Sequence, residues 1–204
     1  MEVINMVTHV SQTNTEACSS SKLRLLIAAA LFAALTFIGT YIIKIQTITH
    51  GYIHPGDGFV LLSGIFLGPL WGGLAAGFGS MLSDLIGGYI TYVPATFIIK
   101  AVVAVIAASL TGLIQKLSGS KKSVIPVIAS GVVGEAFMVI AYFVFESFLA
   151  VFTAGKGFTA SSFDAAVAAS AAGIPANIIQ GVFGVVIAAV LYPILRPMVN
   201  KQFG

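Results

Sequence analysis

Charge is what this chain most lacks. Aspartate, glutamate, lysine and arginine make up 8% of its 204 residues, against about 25% in a soluble domain. So few charges cannot cover a water-facing surface, so the solvent around most of this chain is lipid. Cysteine is nearly absent. Cys18 stands alone in a polar N-terminal segment, which rules out an intramolecular disulfide. No basic stripe with interleaved aromatics is present, which argues against nucleic-acid binding. The phosphate-cradling pattern G-x-x-x-x-G-K-[ST] is missing, so ATP hydrolysis by that route is excluded. G-x-S-x-G and H-E-x-x-H are missing too. No filter-like repeat suggests an ion channel, and no internal repeat suggests an inverted-repeat transporter.

What is present is apolar. Hydrophobic residues make up 58% of the chain and the mean hydropathy is +1.02. The pattern predicts an all-α integral membrane protein, a bundle of six transmembrane helices. The length allows about six spans of ~20 residues. Residues 1–21 form a polar segment with Glu2 and Glu16, read as a cytoplasmic tail. Residues 22–204 form one membrane domain. The first apolar run, between Arg24 and Lys44, is too long for a signal-peptide core of about 7–15 residues and is read as a retained span.

The spans are expected at 23–43, 56–67, 70–86, 94–117, 124–152 and 163–195. Gly68-Pro69 separates the second from the third, because proline lacks an N–H and glycine relaxes the backbone. Pro94 suits the first turn of the fourth. Pro175 is expected to kink the sixth. A polar, β-branched loop, 44–55, follows the first span.

Six spans bring both termini to one side. Lys22, Arg24, Lys116, Lys121, Lys122, Arg196 and Lys201 fall at one face, and Lys44 and Lys156 at the other. The positive-inside rule therefore makes both termini cytoplasmic and turns the 44–55 and 153–162 loops outward.

Ionisable residues at membrane depth are costly and usually face a bundle interior or a wet cavity. Asp57, Asp84, Lys100, Glu135 and Glu146 lie in or near spans. Lys100 lies about 9 Å into its helix, at 1.5 Å per residue, within reach of Asp84. That pair reads either as a bundle-locking ion pair or as a substrate contact. Asn177 and Gln180 are three apart and share a helix face. Both donate and accept hydrogen bonds, so they suit either the polar edge of a heterocycle or interhelical bonding. Tyr89, Tyr92 and Tyr142 lie near the outer ends, as interface-belt aromatics or as stacking partners for a flat ligand. Trp71 reads as a belt residue. His50 and His54 are four apart with no third ligand, which favours a gate over a metal site. Ala29 with Ala33, and Ala30 with Ala34, are small residues at helical spacing. They allow close approach of another helix, inside the bundle or from a second subunit.

Four stretches carry a resemblance: Gly51-Tyr-Ile-His-Pro-Gly-Asp57, Leu67-Gly-Pro-Leu-Trp-Gly-Gly73, Ala76-Gly-Phe-Gly-Ser-Met-Leu-Ser-Asp84 and Tyr92-Val-Pro-Ala-Thr-Phe-Ile-Ile-Lys100. Together with Pro175-Ala-Asn177-Ile-Ile-Gln180 they resemble the substrate-binding S components of energy-coupling factor (ECF) vitamin transporters, in the riboflavin-type branch. The likeness covers all six expected spans.

The resemblance implies a six-helix fold with an outward-facing pocket for a water-soluble vitamin or precursor. It also implies a complex with a transmembrane coupling subunit and two cytosolic ATPases. It implies a first outer loop that closes over the ligand, and an S component that topples in the membrane to release it. Pocket residues carried over are His54, Asp57, Lys100, Glu135, Tyr142, Glu146, Asn177 and Gln180, with Asp84 supporting Lys100 or reaching the pocket. Ala29, Ala30, Ala33 and Ala34 map to the coupling-subunit face. No cofactor or catalysis is implied. Hydroxymethylpyrimidine or pyridoxine is the substrate expected first, with riboflavin, pantothenate or another vitamin as alternatives. A membrane-embedded enzyme using Glu135 or Glu146, or a channel-forming bundle, are the rival classes.

Overall fold

The computed structural model describes residues 2–46, 52–119, 123–155 and 158–203. It contains six helices: α1 (Glu2–Tyr41), α2 (Gly56–Gly87), α3 (Val93–Ser118), α4 (Ile125–Thr153), α5 (Ala160–Ala171) and α6 (Ile174–Phe203). Two short strands, β1 (Ile45–Gln46) and β2 (Tyr52–Ile53), pair antiparallel with Ile45 opposite Ile53. His50 lies outside the described residues, as do Lys121, Lys122 and Lys156. The polar segment expected as a separate tail continues α1 back to Glu2.

Among the described residues, five helical segments are long and apolar enough to cross a bilayer: Lys22–Tyr41, Gly56–Gly87, Val93–Ser118, Ile125–Thr153 and Ile174–Val199. The second of these is not one rod. Gly68 breaks it with φ +79° and ψ 177°, a conformation that glycine adopts without a Cβ penalty. Pro69 follows and cannot continue the preceding hydrogen-bond ladder. The Ser63 hydroxyl donates to the Gly72 carbonyl at 3.0 Å. Along a straight helix nine residues would span about 13 Å. The chain therefore reverses at Gly68, and the halves 56–67 and 69–87 pack side by side. A Cβ at Gly72 would strike the backbone of Ser63 and Gly64, so this close approach requires glycine.

The last expected span divides. α5 ends at Ala171 and α6 begins at Ile174. Pro175 starts a helix here rather than kinking one, because its missing N–H is harmless in the first turn. At 12 residues, or about 18 Å, α5 is too short to cross ~30 Å of hydrocarbon. Its start is capped by Thr159 and Ser162, each side chain meeting the other's backbone N–H. Pro94 occupies the first turn of α3, as expected.

α2 is the central element and packs against α1, α3 and α6, while α4 joins α3 to α6. The core holds Val60, Leu61, Leu62, Ala76, Val103, Ala104, Ala107 and Met138. One end of the bundle is closed by a polar-tipped aromatic layer. Phe32 lies 6.1 Å from Phe66, Phe66 stacks on Tyr192 at 5.5 Å, and Gln115 donates to the Tyr192 hydroxyl at 3.0 Å. The outer helix faces carry exposed Leu26, Leu31, Ile98, Leu113, Ile140, Val182, Val186 and Ile194. Such apolar faces suit lipid contact.

Candidate functional site

The opposite end of the bundle is hollow. A cavity of about 510 Å³, counting the part open to solvent, is lined by Thr40, His54, Ser80, Asp84, Tyr89, Tyr92, Thr96, Tyr142, Glu146, Asn177 and Gln180. Its walls come from five helices, the turn between α2 and α3 that carries Tyr89 and Tyr92, and the segment after β2. The reversal at Gly68 lets α2 contribute from its second half (Ser80, Asp84), while its first turn lies beneath the cavity. The restart of α6 at Ile174 sets Asn177 and Gln180 one turn apart on the facing wall.

Seven of the ten substrate-site residues expected from sequence line this cavity: His54, Asp84, Tyr92, Tyr142, Glu146, Asn177 and Gln180. Asp57, Lys100 and Glu135 do not. They lie buried below it. The expected approach of Lys100 to Asp84 is corrected. Lys100 Nζ donates to Asp57 Oδ1 at 2.6 Å, and both side chains are sealed from solvent. Asp57 is reachable because it opens α2 at the level where Lys100 enters from α3. Gln180 ties the layers together, since it lines the cavity and its Nε2 donates to Asp57 Oδ2 at 2.7 Å.

The tyrosines form one wall. The Tyr142 hydroxyl donates to Thr96 Oγ1 at 3.1 Å, and Lys100 Nζ lies 5.4 Å from the Tyr142 ring. Tyr92 packs edge-on against Phe145 at 5.4 Å and against Tyr89 at 6.4 Å. Burial, with the nearby carboxylates of Glu146 and Asp84, pushes the Tyr92 phenol up to about 12, so it stays a hydrogen-bond donor. At the rim Lys44 lies over the rings of Tyr41 (4.7 Å) and Tyr89 (5.5 Å). Burial lowers its pKa, against the pull of Asp84.

His54 is buried at the cavity edge and accepts the Gly56 N–H on Nδ1 at 3.2 Å. Burial pushes it down to about 4, against the raising effect of Asp57. It is therefore neutral at physiological pH. Among the described residues no group of three potential ligands could hold a metal ion.

Sequence reasoning missed Thr40, Ser80 and Thr96, and left Tyr89 undecided. The signal for Thr40 and Ser80 was a hydroxyl inside an otherwise apolar run. Both hydroxyls are buried with no hydrogen-bond partner among the described residues, although buried polar groups are normally paired. Each can donate and accept a hydrogen bond, and both line the cavity. The Thr36 and Ser83 hydroxyls are likewise buried and unpartnered among the described residues but do not line it.

The four alanines of α1 separate. Ala29 is buried, and Ala33 packs against the core beside Gly79. Ala29 is therefore turned into the bundle, while Ala33 is part-exposed. Ala30 and Ala34 are exposed, on a helix that also exposes Leu23, Leu26, Ile27 and Leu31.

Residues 20–197 match the family model described as the ECF-type riboflavin transporter, S component. The chain belongs to that family. A solved structure titled "Structure and mechanism of the S component of a bacterial ECF transporter" has the same fold. It is 20% identical, covering 88% of this chain and 98% of that one, with a TM-score of 0.58. A Pyrococcus woesei protein described as "Uncharacterized protein in gap 3'region" is 41% identical over 58 residues. The chain spans 38% of that relative's length and the match covers 28% of its own. The protein is thus a multi-pass membrane S component.

Proposed function

We propose that this chain is the high-affinity, membrane-embedded substrate-binding subunit of an ATP-driven ECF-type importer, and that the cavity at its outer end holds a water-soluble vitamin or precursor. The observation that carries the reading is the pair of unpartnered buried hydroxyls, Thr40 and Ser80. They lie in a cavity walled by tyrosines, carboxyls and amides, within a chain of the S-component family. Tyrosine faces suit a flat ring. Asn177, Gln180, Asp84 and Glu146 suit ring nitrogens, amino groups and hydroxyls on its edge. Hydroxymethylpyrimidine or pyridoxine has this chemistry and is the substrate class we favour. Riboflavin is the second reading, favoured by the family's description.

In this reading the chain crosses the membrane six times with both termini cytoplasmic. The first half of α2, as short as α5, crosses sheathed by the bundle, since Asp57, Val60, Leu61, Leu62 and Ser63 are fully buried. The lysine and arginine bias supports the cytoplasmic placement of the termini. His54 and the paired strands β1 and β2 close over the ligand. The exposed Ala30 and Ala34 surface of α1 meets a transmembrane coupling subunit, which is served by two cytosolic ATPases. The chain itself performs no catalysis.

Calorimetric titration of the detergent-purified chain with hydroxymethylpyrimidine, pyridoxine, riboflavin and pantothenate tests the substrate. Saturable one-to-one binding of a pyrimidine or pyridine supports the favoured class. Binding of riboflavin alone replaces it with the second reading, and turnover of any of them by the isolated chain overturns the non-catalytic role.

A further inference from the structure

Beneath the cavity, one lysine meets two carboxyl groups. Lys100 from α3 is paired with Asp57 from α2, and Gln180 from α6 donates to the other Asp57 oxygen. The second carboxyl is Glu135 on α4. It is 4% exposed, and neither of its oxygens has a hydrogen-bond partner among the described residues. Asp57 and Lys100 are the charges that act on it. Gly184 of α6 brings the two acids together. A Cβ at that position would lie 2.8 Å from Asp57 Cβ and 3.3 Å from Glu135 Oε1. Lys100 Nζ also touches Met138 Sδ at 2.8 Å, and Met138 lies one turn beyond Glu135 on the same face of α4.

Among the described residues, the one other titratable group that acts on this cluster is His54, which faces Asp57 and Lys100 and is held neutral by burial. α2 contributes Asp57, α3 contributes Lys100, and α6 contributes the neutral Gln180 and glycines. On its outward side Glu135 adjoins a hollow between α4 and α6 whose other lining residues are Val132, Ala136, Val139, Ile178, Gly181 and further valines. α5 meets α4 at Phe148, where Phe163 lies 6.1 Å away, about 20 Å along the helix from Glu135. With all three groups ionised, the cluster would hold one uncompensated negative charge at membrane depth, which is expensive.

We propose that Glu135 is a proton-binding site and the reserve counter-ion of Lys100. In the state described here Asp57 carries the negative charge and Glu135 holds one proton. When Asp57 is neutralised or drawn away, the Glu135 O–H bond breaks and the proton leaves to water through the cavity. The carboxylate so formed pairs with Lys100. Because Gln180 binds Asp57 and also lines the cavity, occupancy of the cavity and the proton on Glu135 are linked. The inference rests on the membrane placement of the bundle and not on the identity of any substrate.

The test is infrared spectroscopy of the full chain in lipid vesicles, without ligand, reading the carbonyl stretch of protonated carboxylic acids at neutral pH. A band present in the parent is expected to vanish in Glu135→Gln. It is also expected to vanish in Asp57→Asn, where Glu135 is intact but ionised against Lys100. A spectrum unchanged by Glu135→Gln overturns the proton site. A band that persists in Asp57→Asn overturns the reserve role, as does an Asp57→Asn chain that fails to fold. Neither result touches the vitamin-binding reading, which the titrations decide separately.

Discussion

The ammonium of Lys100 on α3 donates to the carboxylate of Asp57 on α2 across 2.6 Å, and both side chains are closed to solvent. The pair fixes the first turn of α2 directly below the cavity and directly after His54. Removing one partner of such a pair strands the other charge in a low-dielectric interior.

Lys100→Met is therefore expected to destabilise the chain by about 3–5 kcal/mol, read as a loss of thermal stability in detergent. Asp57→Asn is expected to cost clearly less, since Glu135 then supplies the counter-charge. The double variant Asp57→Asn with Lys100→Met should recover part of the Lys100→Met loss, because no lone Asp57 charge is left behind. Equal costs for the two single variants would contradict the asymmetry.

Asn177 and Gln180 face one cavity from the same wall of α6. Asn177→Ala is expected to weaken ligand binding by about 1–3 kcal/mol, since it leaves polar atoms of the ligand unpaired. Its thermal stability without ligand should stay close to the parent's, because Asn177 is only part-buried. Titration of both chains with the bound vitamin checks this, and unchanged affinity removes Asn177 from the site.

The alanines of α1 give opposed expectations. Ala30→Trp and Ala34→Trp should abolish assembly with the coupling subunit and leave ligand affinity intact, because both positions are exposed. Ala29→Trp should instead destabilise the isolated chain, since Ala29 is buried in the core and overpacking typically costs about 1–3 kcal/mol. Co-purification with the coupling subunit, alongside thermal unfolding, separates the two effects.

His54 supplies a pH dependence whose sign can be worked out. Burial depresses it from 6.5 to about 4. Between those values the unfolded chain binds a proton that the folded chain does not. This contribution to stability is complete above about pH 6.5 and is lost on acidification toward about pH 4. His54→Asn should show a flatter profile over that interval, and the difference between the two profiles isolates His54 from the carboxyls that titrate nearby.

The course of the chain was largely legible in the sequence. The break at Gly68-Pro69, the start at Pro94 and the limits of α4 follow from proline and glycine chemistry acting on long apolar runs. The division between α5 and α6 was harder to see. Pro175 has the same local effect whether it kinks a helix or begins one, and the alanine-rich stretch before it has no polar stop. The cavity wall was legible where a carboxyl or amide interrupts an apolar span, as at Asp84, Glu146 and Gln180, and not where only a hydroxyl does, as at Thr40 and Ser80. The partner of Lys100 was not, because Asp57 and Asp84 both lie near the outer level. Only the reversal at Gly68 decides which of them meets α3. Depth was hidden for the same reason. Glu135 and Glu146 sit on one helix eleven residues apart, and packing alone makes the first a sealed group and the second a cavity wall.

The central claim is that the outer cavity binds one vitamin molecule without transforming it. Native mass spectrometry of the detergent-purified chain, with release and identification of any co-purified small molecule, tests it most directly. The account predicts one flat heterocyclic vitamin or precursor per chain, recovered chemically intact and lost on Asn177→Ala. A chain that stays empty through titration with the full vitamin panel, or that releases a transformed product, would contradict it.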